Sequence, residues 1–172
     1  MKKHIIYILC FMLIQVNVLA NDINHVRTLY PKASEDFKLT KELLAYIQTH
    51  KLNTATAWGY RGALEALMAK HESNPFTKLS YLKKCSNTFA KAIEASPADI
   101  ELRILRYITE VNTPSTLGYS ENVAIDKKTI LDYLSKNTNY KPDYQMVILL
   151  KILKLKGKLT ATESAIVQKF IA

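Results

Sequence analysis

The chain has 172 residues, with 24 Lys and Arg against 15 Asp and Glu, for a formal net charge of +9. That balance, with no platform of arginines and lysines interleaved with aromatics, argues against a nucleic-acid binder and suits solubility or contact with acidic partners and anionic envelope surfaces. Two cysteines, Cys10 and Cys85, are too few for a disulfide scaffold.

The first element is a leader. Lys2 and Lys3 precede an apolar run over 5–19, and Val18-Leu19-Ala20 stands ahead of the polar Asn21-Asp22. This is the pattern of a secretory signal peptide cut after Ala20, the alternative being an uncleaved anchor. Lipid attachment at Cys10 lacks the small residue it needs in Tyr7-Ile8-Leu9. The expected organisation is a signal peptide over 1–20 and one α-helical domain over 21–172, exported to a periplasmic or secreted location. Cleavage removes Lys2, Lys3 and Cys10, leaving 22 basic against 15 acidic residues, or +7, and a lone thiol at Cys85.

Four glycines in the whole chain and long stretches of three-to-four spacing, with no sustained alternation, predict a nearly all-helical protein. A short segment over 22–31 carries Ile23, Val26 and Tyr30 on one side and is ended or kinked by Pro31. Ser34 is placed to cap a helix to about His50, with Leu39, Leu43, Leu44 and Ile47 inward. Thr54 caps the next, to about Glu72. Its small residues Gly59, Gly62, Ala63 and Ala66 invite close neighbours on more than one side, so it is the expected central helix. Asn74-Pro75 opens a helix to Ala95 that turns Leu82, Cys85, Phe89, Ala92 and Ile93 inward, and Ser96-Pro97 is read as the same device for a helix to about Val111. A loop over 112–119 holds Pro114 and Gly118. Helices over about 121–136, with Ile125, Ile130, Leu131 and Leu134 inward, and 142–156 follow. Gly157 is expected as a helix-ending glycine, and Thr160 with Glu163 forms a capping box for a last helix carrying Ile166, Val167, Phe170 and Ile171.

Within Phe89-Ala-Lys-Ala-Ile-Glu-Ala-Ser-Pro97, the spacing of Phe89, Ala92 and Pro97, with Cys85 one turn earlier, resembles the second helix of a tetratricopeptide repeat. The resemblance implies an all-α fold of stacked antiparallel helical hairpins, about six to seven helices in all. It also implies that the first helix of each pair, 54–72 and 97–111, lines a concave groove that binds a partner.

No local motif points to catalysis, a metal or a cofactor. His25, His50 and His71 lack metal-ligand spacing, and there is neither a phosphate loop nor a serine elbow. Cys85 lies on an apolar stripe, where a thiol packs rather than reacts. The candidate binding residues lie on the two groove helices: Trp58, Arg61 and Glu65 on one, Arg103, Arg106, Tyr107 and Glu110 on the other. Guanidinium forks there could hold a carboxylate or phosphate while the aromatic rings anchor apolar groups. The bland alternative is two solvated faces with i,i+4 ion pairs. Together these features read as an exported, non-catalytic interaction or envelope-accessory module whose partner is a protein or peptide of acidic character. One rival is a small enzyme or anionic-ligand-binding protein using the Arg/Glu cluster, with Glu65 or Glu110 as acid/base. Another is a peripheral membrane protein acting through Lys151, Lys154 and Lys158.

Overall fold

Six of the helices start where a side chain takes up free N–H groups of the first turn. In the computed structural model, which describes residues 23–171, eight α-helices and one short 3₁₀ turn form, and no strand occurs among the described residues. The expected leader over 1–20 lies outside the described residues. The helices are α1 (23–33), α2 (Phe37–Thr49), α3 (Ala55–His71), α4 (Pro75–Ala95), α5 (Ile100–Val111), α6 (Val123–Lys136), α7 (Tyr144–Lys156) and α8 (Ala161–Gln168), with the 3₁₀ turn at Ser115–Leu117. Thr54 accepts from the Ala57 N–H, and Asn74 accepts from Phe76 and Thr77 with Pro75 at the first helical position. Thr160 and Glu163 close a reciprocal capping box.

Three starts and ends differ from the sequence reading. α1 continues through Pro31 to residue 33, so Ser34 falls in the turn behind it, donating to the Pro31 carbonyl at 3.2 Å, and Asp36 caps α2 instead. Ser96 closes α4, its N–H donating to Ala92, and is therefore not free to open α5. Asp99 does that by accepting from Glu101 at 2.9 Å. Gly157 ends α7 with φ −80°, and the left-handed residue is Lys158, at φ 48°. What demands glycine at 157 is space. A Cβ there would crowd the Leu153 carbonyl and sit 3.3 Å from the Tyr107 ring.

α3 packs against α2, α4 and α5, and α5 in turn packs against α4, α6 and α7, so these two helices form the middle of the molecule. The small residues of α3 permit this: a Cβ on Gly62 would lie 3.1 Å from the Phe89 ring of α4. α4 buries Leu82, Cys85, Phe89 and Ala92, as its stripe predicted. Burial pushes the Cys85 thiol far above its ordinary range, which leaves it an inert packing group. α7 buries Met146, Leu149, Leu150 and Leu153 and sends Lys151 and Lys154 outward, the arrangement of a core helix with solvated lysines. α6 departs from expectation at Ile125, which is 58% exposed, while the neighbouring Asp126 is 0% exposed. The helix is rotated toward a charge, for reasons that lie on α5.

Candidate functional site

The α5 stripe that the sequence assigned to a groove is inside the molecule. Arg106 holds both carboxylate oxygens of Asp126, through Nε at 2.6 Å and Nη2 at 2.8 Å, and Arg103 adds Nη1 at 2.9 Å. Arg103 also donates to the Pro97 carbonyl at 3.3 Å, and its Nε is buried without a hydrogen-bond partner. Two guanidinium groups thus converge on one buried carboxylate, which explains why α6 turns Asp126 inward and Ile125 out. Tyr107 donates to the Gly157 carbonyl at 2.6 Å. Glu110 accepts from the Asn122 backbone N–H at 2.8 Å and from its side-chain amide at 2.9 Å. Burial raises the Glu110 pKa, and these two hydrogen bonds oppose the rise.

The α3 stripe is a separate network. Arg61 Nε lies 2.9 Å from Glu65, whose other oxygen accepts from Thr88 of α4 at 2.8 Å. Trp58 is half-buried, with the Lys91 ammonium 3.9 Å from its ring centroid. Glu65 therefore ties α3 to α4, while Arg103 and Arg106 tie α5 to α6. The two stripes share no partner. The solvated-face alternative does not describe them either, since Glu65, Arg106, Tyr107 and Glu110 are all buried.

A third network was not foreseen. Arg27 of α1 grips Glu101 of α5 through Nε at 2.8 Å and Nη2 at 3.0 Å, and reaches Asp143, the cap of α7, at 3.2 Å. Tyr60 of α3 donates to the same Glu101 at 2.7 Å. Burial works against the Arg27 charge, but its bonds to Glu101 outweigh that and raise its pKa. Burial and the Glu101 carboxylate together push the Tyr60 hydroxyl well up. Both groups remain protonated donors at any physiological pH. No sequence signal pairs residues this far apart.

With the polar stripes engaged internally, one open feature of the surface among the described residues is a groove of about 950 Å³ framed by the α1–α2 turn, α3, α4, the C-terminal end of α5 with its loop, and α7. Its floor is apolar, built from Ala63, Ala66 and Leu67 of α3, Leu82 of α4, Ile108 of α5 and Ile152 of α7. Leu155 stands on its wall and is 81% exposed. Three lysines line the same groove: Lys70, Lys78 and Lys156. Lys70 donates to the Ser34 carbonyl at 3.1 Å and Lys156 to the Ser34 hydroxyl at 3.2 Å, so two ammonium groups converge on one turn residue. Among the described residues the Lys78 ammonium makes no hydrogen bond or ion pair, and none of the three lysines has a carboxylate within ion-pair distance. Glu35 is the single acidic residue on the lining. Among the described residues no cluster of three or more His, Cys, Asp or Glu is arranged to hold a metal ion, and no helix is long and apolar enough to cross a membrane.

Comparison with known proteins returns no matching family, no matching curated protein and no matching solved structure.

The sequence did carry a trace of the groove. Ala63 and Ala66 were read as points of close approach on α3, whereas the lysines singled out on α7, Lys151, Lys154 and Lys158, are not those that line the groove. What was absent was any indication that these two helices border one space.

Proposed function

We propose that the chain is an exported, non-catalytic binding module that holds a segment of a partner protein in the groove between α3, α4, α5 and α7. One observation carries this reading: an open apolar trough lined by three lysines that no carboxylate neutralises. Apolar floors with a few placed polar groups are the usual form of a binding site, and the exposed Leu155 extends this one outward along its wall. Trp58, Arg61, Glu65, Arg103, Arg106, Tyr107 and Glu110 then serve the groove indirectly. Their bonds fasten α3 to α4 and α5 to α6, which fixes the walls against which a partner would lie.

A photoreactive amino acid at position 155 should form a covalent adduct with one partner in envelope fractions, while the same group at the exposed position 125, outside the groove, should not. Lys78→Glu should remove that adduct. Equal adducts from both positions, or none at 155, would end this reading. Export is tested separately. The native protein should begin at Asn21 by intact mass, and retention of residues 1–20 would show that the leader is not cleaved.

A further inference from the structure

Resting on that reading of the groove, we infer that its occupant is an acidic amphipathic α-helix of a partner protein. Charge selects the sign. Lys70, Lys78 and Lys156 face the trough against the single Glu35, so a segment flanked by Asp and Glu is attracted and a basic one repelled. The chain's own residues 1–22 fit poorly as occupant, since they carry Lys2 and Lys3 and only Asp22 as an acid.

Backbone chemistry selects the conformation. The floor offers the partly exposed side chains of Ala66, Leu67 and Ile152, with Ala63, Leu82 and Ile108 buried beneath them, and the described residues contain no strand whose edge could pair with an incoming chain. An extended segment pressed onto that apolar floor would bury N–H and C=O groups that Ala66, Leu67 and Ile152 cannot bond, whereas a helix satisfies its own. The methyl group of Ala66 lets a helix approach α3 closely, and apolar residues at i, i+3, i+4 and i+7 would meet Leu67, Ile152 and Leu155. The paired ammonium groups at Ser34 are set to meet carboxylates on the flank of that helix.

The test is selection of a displayed library of random peptides, about 18 residues long to allow five helical turns, on the full mature chain. Affinities of the enriched peptides would then be measured by fluorescence anisotropy. The expected winners carry apolar residues at helical spacing flanked by Asp and Glu. Leu155→Glu and Lys78→Glu, at positions exposed or without partners, should each weaken them by about tenfold or more at unchanged thermal stability. Winners with period-two or proline-rich patterns, or with basic flanks, would overturn the acidic-helix inference yet leave the groove as a binding site, provided the two variants still weaken them. Winners indifferent to both variants would overturn the groove reading itself. So would competition by palmitate alone, which would mark a lipid site. Self-association abolished by Leu155→Glu would assign the groove to a second copy and overturn the partner helix.

Discussion

Arg106→Ala is expected to lose about 3–5 kcal/mol of stability, because it strips the principal partner from a carboxylate that has no exposure to water. Asp126 would keep only the Arg103 contact at 2.9 Å, and the Coulomb gain of one peripheral guanidinium does not offset the desolvation of the carboxylate. A urea unfolding series reads the loss directly. Replacing both members by apolar residues, Arg106→Met with Asp126→Leu, should recover most of it, since the cost of a broken buried pair lies in the charge left behind. A double-mutant cycle between Arg106 and Asp126 should show strong coupling, while Arg106 and Arg61 should be additive because Arg61 spends its bond on Glu65. A loss below about 1 kcal/mol for Arg106→Ala, the scale of an exposed pair, would mean that the Asp126 site is hydrated.

The second large effect is at the α3–α4 contact. Phe89 is fully buried against Gly62, and Phe89→Ala should cost about 3–5 kcal/mol, a large share of the stability of a domain this size. The partner makes the assignment sharper. In the wild-type chain Gly62→Ala places a methyl 3.1 Å from the Phe89 ring and should destabilise. In the Phe89→Ala background the same methyl enters the cavity and gains helix propensity of about 1 kcal/mol, so its sign should reverse. An unchanged denaturation midpoint for Phe89→Ala would contradict the packing of α4 on α3.

Helix content was legible because it is local. Thr54, Asn74 and Thr160 sit next to the N–H groups they cap, and the stripes of α2 and α4 repeat within one element. The errors were local as well, but competitive. Ser34 and Ser96 are reasonable caps that lost to Asp36 and Asp99, because the preceding helices ran on until they consumed the serines. The surroundings of the candidate residues were hidden for a different reason. Arg61, Arg103 and Arg106 were singled out from the sequence as candidate binding residues. Their partners lie on other helices, though, so one sequence could not say whether a charged stripe faces solvent, a ligand or Asp126. The groove was least legible of all. It is the space left between five segments, and no single stretch of chain records its shape.

The clasp made by Arg27, Glu101 and Asp143 bears on the order in which the chain assembles. Its bonds join residues 74 and 116 positions apart, whereas α3 and α4 meet across a three-residue link. Closing so long a span costs entropy that neighbouring helices do not spend, so the hairpin of α3 and α4 is suited to form early and the clasp late. Arg27 can already grip Glu101 through two bonds once α5 has formed, and α7 then adds Asp143 as a more exposed third partner. A nascent chain stopped before residue 143 would therefore hold α1 through α5 and α3, with fewer bonds than the finished protein.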